Sequence, residues 1–339
     1  MNRNKWRGIF SLALLILGVV GKQMPAVVVA TTTGNVSAPD DDPGWANVGI
    51  RGSATAVYVG NGWVLTAAHV GAGDVEFPEL HRLFAVDPAT APVPLRNPAD
   101  LGLSATTDLM LFKLAETPEL PPLVIASSRP NLGGEVVMIG HGLDREPVAR
   151  DWDLRSTSAS APAIWTEVPR GTGQFHGFNA MTESSMRWGV NSIDFLLEPT
   201  STTPLGINGH VFSFATDFDF ARNQAQAVTN DSGGAVFAKR DGTWELAGIM
   251  VAVNGFPGQK IQEMVLFGNQ TLSADLSIYR DQIVSLVPEP FFHPGLILAW
   301  GIQAAGMWRK GRARAIAAGI TPTLPAASVR RLRARSFQL

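Results

Sequence analysis

From Val48 to about Leu286 the chain consists of short apolar runs separated by Gly, Asn and Pro. Runs of this kind, rich in Val, Ile, Leu, Phe and Thr and bounded by turn formers, build strands rather than helices. The clearest is Ala54-Thr55-Ala56-Val57-Tyr58-Val59, followed by Gly60-Asn61-Gly62 and Trp63-Val64-Leu65-Thr66, which predicts a hairpin closed by a tight glycine-bearing loop. Glycine (34) and proline (23) are plentiful, charged residues make up only 17%, and long helical periodicity is scarce, which points to a β-rich protein. A chain of 339 residues can bury a substantial core. It contains no cysteine, which removes disulfides, thiol nucleophiles and thiolate metal sites from consideration.

Charge is distributed unevenly. Residues 1–30 carry four Lys/Arg and residues 309–339 carry eight, with no acid in either, leaving 15 basic residues against all 29 acidic ones in between, a net of −14. An acidic body argues against nucleic acid as a partner. The basic ends read as topology signals instead. Arg3, Lys5 and Arg7 precede the apolar run Gly8 to Val20, and Val28-Val29-Ala30 offers a small residue for cleavage, so residues 1–30 are expected to form a secretory signal peptide. An uncleaved anchor is the alternative, although the run is short for a full span. Residues 31–47, with Asp40-Asp41-Asp42-Pro43-Gly44, read as an exposed leader whose acids are solvated rather than calcium-binding.

Three short blocks carry chemistry. Asn230-Asp231-Ser232-Gly233-Gly234 runs straight into Ala235-Val236-Phe237. Small residues leave the serine hydroxyl exposed, and glycines let a substrate carbonyl approach main-chain N–H groups. Thr66-Ala67-Ala68-His69 places a histidine at a strand end behind two small residues. Asp108 opens the apolar run Leu109-Met110-Leu111-Phe112, where its carboxylate needs a hydrogen-bonding partner. Each block has an ordinary structural reading when taken alone.

Together, Thr-Ala-Ala-His at 66–69, Asp-Leu-Met-Leu at 108–111 and Asn-Asp-Ser-Gly-Gly at 230–234 resemble the trypsin-like (chymotrypsin-fold) serine peptidases. They occur in that family's order, with gaps of 39 and 124 residues. Val136 to Gly142 and Trp244 to Val251 look like two further strands of the family. The resemblance covers residues 48–286 and implies two antiparallel six-stranded β-barrels with a boundary near 125–135. It implies an all-β fold and a serine endopeptidase acting on polypeptides without a cofactor, as a monomer. Ser232 would attack the carbonyl, His69 would shuttle the proton, Asp108 would orient the imidazole, and the backbone N–H groups of Asn230 and Ser232 would form the oxyanion hole. Asn230 departs from the family's glycine, though asparagine tolerates positive φ. Asp231 occupies the position that receives a new N-terminal ammonium in the family. Val48-Gly49-Ile50-Arg51 does not match the family's start, which leaves activation open. The specificity pocket would be based on Gln226, with Val251, Ala252 and Val253 along its edge. Gln226 is neutral and gives no reason to expect cleavage after Lys or Arg. The same blocks also suit a peptidase-fold surface protein that binds without turnover. An α/β-hydrolase would need Gly-x-Ser-x-Gly and the opposite order of residues.

Residues 143–210 are broken by Pro and Gly into short strands and loops and read as part of the second barrel with a long surface insertion. His81, His141, His176 and His210 show no ligand spacing, so no metal is expected. Alternation from Val211 to Phe220 puts Phe212, Phe214, Phe218 and Phe220 on one core-facing side. After Leu286, Val287-Pro288-Glu289-Pro290, the apolar Phe291 to Trp308 and the cluster Arg309 to Arg314 resemble a PEP-CTERM sorting signal. That resemblance implies, for residues 287–314, a single transmembrane helix in the bacterial inner membrane, cut or retained by an exosortase, with the body at the cell envelope or outside it. A plain single-pass anchor is the alternative. His293 and Gln303 interrupt the span, and the basic tail 315–339, expected to be disordered, extends beyond the usual pattern.

Overall fold

The computed structural model describes residues 27–31, 35–155, 163–200, 209–220 and 224–287. The expected signal-peptide core, membrane segment and basic tail therefore lie outside the described residues. Among those described, no helix is long and apolar enough to cross a membrane.

A two-residue strand, β1 (Val28–Val29), comes first. Then β2 (Val48–Arg51), β3 (Ala54–Gly60), β4 (Trp63–Ala67), β5 (Val75–Phe77), β6 (Arg82–Phe84), β7 (Val93–Arg96) and β8 (Thr106–Lys113) build one antiparallel sheet, ordered β6-β5-β2-β3-β4-β8-β7. The hairpin read from residues 54–66 is present, pairing Val57 with Leu65 and Tyr58 with Val64. Gly60, Asn61 and Gly62 all take positive φ, which the tight loop requires. These strands are apolar on both faces because both are covered. Val57, Val59 and Leu65 face one cluster, whereas Tyr58, Val64 and Phe112 face another.

The chain crosses to β9 (Glu135–Gly140) and then builds β10 (Leu143–Arg145), β11 (Arg150–Arg155), β12 (Ile164–Val168) and β13 (Phe175–Ser184). β14 (Arg187–Ser192) returns beside β9, followed by β15 (Phe195–Leu197), β16 (Ser213–Asp217), β17 (Ala225–Gln226), β18 (Ala235–Arg240), β19 (Thr243–Asn254), β20 (Met264–Leu266), β21 (Gln270–Asp275) and the helix α1 (Leu276–Leu286). The second large sheet is ordered β14-β9-β18-β19-β21-β16-β15. Strands β10 to β13, with β20 on β13, form a separate five-stranded sheet. Each large sheet thus has seven strands where six were expected, and the insertion is a sheet of its own.

Both large sheets contribute to one core: Leu65 and Leu111 from the first meet Ile139, Phe237 and Ile249 from the second. α1 closes this core with Leu276, Tyr279 and Ile283, which recur on one helical face. Its start is capped by Asp275, whose side chain accepts from Ser277 N.

Three further expectations are overturned by the structure. Val27 to Ala30, expected to leave with the signal peptide 1–30, are almost fully buried, and β1 pairs with β17 (Val28 with Gln226, Val29 with Ala225). Residues 35–47 are laid against both large sheets rather than free: Trp188 Nε1 of the second donates to Ser37 O at 2.8 Å, Asn47 Nδ2 donates to Tyr58 O of the first at 3.0 Å, and Asn35, Trp45 and Asn47 are buried. The acids of this stretch are exposed, but Asp41 pairs with Lys239 and Asp42 caps the turn at Gly44 and Trp45. The phenylalanine face also breaks. Phe214 and Phe218 are buried, whereas Phe220 is 56% exposed, because the strand ends at Asp217 and the alternation ends with it.

Phe237 has 1% exposure in the core common to both sheets. Phe237→Ala is expected to destabilise the fold by about 3–5 kcal/mol, measured by urea denaturation.

Candidate active site

Neighbouring strands bring the histidine and the first aspartate together. β4 and β8 pair with Ala67 opposite Leu109, so His69, just past the end of β4, meets Asp108 near the start of β8. Asp108 Oδ2 lies 2.8 Å from His69 Nδ1, and its Oδ1 accepts the His69 backbone N–H at 3.0 Å. Ala68 N donates to the Asp108 carbonyl at 3.1 Å. Asp108 is fully buried, while the His69 side chain keeps 21% exposure. A buried acceptor on Nδ1 selects the tautomer whose Nε2 is free to accept a proton. His69, Asn230 and Ser232 line one cleft with Met250, Ala252 and Val253.

Ser232 lies in a turn whose backbone hydrogen bonds can be traced peptide by peptide. The Thr229 carbonyl accepts from Leu143 N at 2.8 Å, and the Asn230 carbonyl accepts from Thr55 Oγ1 at 3.1 Å. The carbonyls of Asp231 and Ser232 accept from Gly234 N at 2.9 Å and Thr55 N at 3.0 Å. Asp231 N donates to Val228 O, and Gly233 N donates to Met250 O. The N–H groups of Asn230 and Ser232 donate to no protein acceptor among the described residues. Both residues line the cleft. Asn230 adopts φ +79°, the left-handed conformation that its identity tolerates. At Gly233 a Cβ would lie 2.0 Å from Thr55 O and 2.2 Å from Thr66 Oγ1, so only glycine fits.

Asp231 points away from the cleft into the protein and has no exposure. Its carboxylate accepts from Gly142 N at 2.7 Å and Val228 N at 2.8 Å, and from the backbone N–H of Val27. Gly140 and Gly142 wrap it so closely that a Cβ on either would sit within 2.5 Å of a carboxylate atom. Its partners among the described residues are thus backbone donors. Burial pushes its carboxyl up to about 7, with Asp144 adding in the same direction. Asp144, also buried, is itself pushed up to about 6.

The pocket expectations divide. Ala252 and Val253 line the cleft, but Val251 faces the shared core and Gln226 is sealed in β17 opposite Val28. Neither Gln226 nor Val251 reaches the cleft wall. Ala227, Val228, Met250 and Ile261 do, none of them singled out by the sequence. Thr55 and Leu143 were missed as well. Their contribution is made through hydrogen bonds to backbone groups far away in the chain, from the Leu143 N–H and from both the N–H and the hydroxyl of Thr55, and no local pattern marks it.

A family model described as "Trypsin-like peptidase domain" matches residues 54–249, more than half of the chain, and the chain belongs to that family. Its all-β architecture is the chymotrypsin-like peptidase fold. A solved structure of neuropsin, a serine protease expressed in the limbic system of mouse brain, is similar at 15% identity and a TM-score of 0.39, covering 69% of this chain and 88% of that one. That likeness is too distant to bear on activity. No curated protein matches the chain.

A carboxyl whose folded-state value lies above its unfolded value of about 4 makes the folded protein bind the extra proton in between. With Val27 still joined to the chain before it, stability is therefore expected to fall as pH rises from about 4 to about 7 and then level off. Asp144 contributes with the same sign up to about 6. Asp231→Asn should make the fall shallower, measured by urea denaturation across pH 4 to 8.

Proposed function

We propose that the chain is an exported serine endopeptidase that hydrolyses peptide bonds through an acyl-enzyme intermediate. The observation that carries this reading is the 2.8 Å contact between His69 Nδ1 and the buried Asp108, in the same cleft as Ser232 and the unclaimed N–H groups of Asn230 and Ser232. In this mechanism His69 Nε2 takes the Ser232 proton as the hydroxyl oxygen adds to the carbonyl carbon, then delivers it to the leaving amine. Asp108 holds the imidazole and stabilises the imidazolium. The negative oxygen of the tetrahedral intermediate accepts from the two N–H groups, each contributing about 3 kcal/mol. Water repeats the sequence on the acyl-enzyme and frees the acid.

The same reading covers activation. Asp231 is a buried carboxylate, and Val27 N is one of its three donors. Val27 also carries φ +32°, strained for a β-branched residue while a preceding residue is attached. Cleavage between Ala26 and Val27 releases that constraint and replaces an amide donor with an ammonium, which favours the ionised carboxylate. The leader is then residues 1–26, and Val27-Val28-Val29-Ala30 is the start of the working enzyme. Export and sorting rest on the basic and apolar ends of the sequence alone, with the PEP-CTERM-like segment presented to an exosortase at the inner membrane.

Ser232→Ala or His69→Ala is expected to cut turnover of fluorogenic casein by ~10³-fold or more while circular dichroism stays unchanged. Asp108→Asn should act through the wrong imidazole tautomer, and an equally active Asn variant means that another group orients His69. A fluorophosphonate probe should label Ser232 in protein beginning at Val27 and label protein extended upstream of Val27 far more slowly. Equal labelling of both forms removes the activation step. No labelling of either, in folded protein, favours a peptidase-fold surface protein that binds without turnover.

A further inference from the structure

Thr55 lies on β3, in the sheet that carries His69, 175 residues away from the turn it touches. It is fully buried. Its backbone N–H donates to Ser232 O at 3.0 Å, and its hydroxyl donates to Asn230 O at 3.1 Å while accepting from His141 N at 2.9 Å. Thr55 O accepts from Thr66 Oγ1 at 2.8 Å, which ties the residue back to the strand leading to His69.

We propose that Thr55 is a positioning residue for the oxyanion hole, resting on the peptidase reading above. The hole's two donors belong to the peptides 229–230 and 231–232. The peptides that alternate with them, 230–231 and 232–233, are the ones whose carbonyls Thr55 holds. A trans peptide is a rigid plane, so clamping the planes on both sides of 231–232 restricts rotation of the Ser232 N–H between them. Clamping the Asn230 carbonyl likewise holds Asn230 at φ +79°, a conformation that a residue with a side chain otherwise tends to leave. The clamp cannot slide, because the turn is pressed against β3 until no Cβ fits at Gly233. The hydroxyl has to donate and accept at once. Its β-branched carbon restricts χ1, so the hydroxyl is held toward both partners. His141 N connects the same oxygen to the strand-end that cradles Asp231, so one atom joins the first sheet, the Ser232 turn and the Asp231 pocket.

The test compares wild type, Thr55→Val, which keeps the shape and loses the hydroxyl, and Thr55→Ser, which keeps the hydroxyl. The substrate is a fluorogenic peptide spanning the casein bond that wild type cleaves fastest, and the transition-state probe is the boronic acid of the same acyl sequence. In Thr55→Val, kcat is expected to fall roughly 10- to 100-fold with KM within about twofold, as for a misplaced catalytic donor. Boronic acid affinity should fall in parallel, while the corresponding product peptide binds as to wild type. Thr55→Ser should recover most of the loss. Rates are taken per folded molecule, and Thr55→Ala replaces Thr55→Val should the latter not fold at the assay temperature. Unchanged kcat and boronic acid affinity in a folded variant lacking the hydroxyl overturn the assignment. A serine variant as impaired as the valine variant overturns it too. Wild type that neither cleaves casein nor takes the fluorophosphonate sinks the peptidase reading itself, and the Thr55 assignment with it.

Discussion

The structure turns on one buried carboxylate. Asp231 has no access to water and is held by backbone N–H groups from three separate parts of the chain: Val27, Gly142 and Val228. A carboxylate in such a place is stable only while those donors stay where they are. The start of the described chain, the end of β9 and the turn bearing Ser232 are thereby tied to one point. The turn cannot take another shape without leaving a charge or a polar group buried and unpaired.

Around that point the protein separates rigid geometry from reactive groups. The three side chains proposed as catalytic sit at or near strand ends: His69 after β4, Asp108 near the start of β8 and Ser232 just before β18. The hydrogen bonds that aim them are mostly made by main chain, which has few ways to move once the sheets are formed. The apolar cluster running through both large sheets supplies the stiffness, since Leu65 and Leu111 pack with Ile139, Phe237 and Ile249. The five-stranded sheet of β10 to β13 and β20 does more than decorate the surface. Its first residue, Leu143, holds the Thr229 carbonyl and so sets the direction of the Asn230 N–H.

Local features of this fold are legible in the sequence, and long-range ones are not. Gly60-Asn61-Gly62 revealed the β3–β4 hairpin because positive φ at a tight turn leaves a compositional mark. The blocks holding His69, Asp108 and Ser232 were legible for a similar reason, each being a short run with small or apolar neighbours. Val27 to Ala30 misled. An apolar run beside a leader looks the same whether it is discarded or buried as a strand. Gln226 misled too, because a position matched by resemblance alone cannot tell whether its side chain faces the cleft or is sealed against β1. Residues 143–184 could not be organised from their sequence, since short strands interrupted by Pro and Gly show no period long enough to name partners.

The amino-acid sequence by itself determined the all-β class, the absence of thiol chemistry and the presence of a histidine, an aspartate and a serine in one order, because composition and short-range pattern govern those. Tertiary structure alone decided that Val27 N faces Asp231, that Thr55 holds two carbonyls of the Ser232 turn, and that Val251 turns inward while Ala252 lines the cleft. The physical reason is that these are contacts of backbone atoms and consequences of burial. Every residue carries the same N–H and C=O apart from proline, and a carboxyl is displaced to about 7 only where folding has removed the water around it.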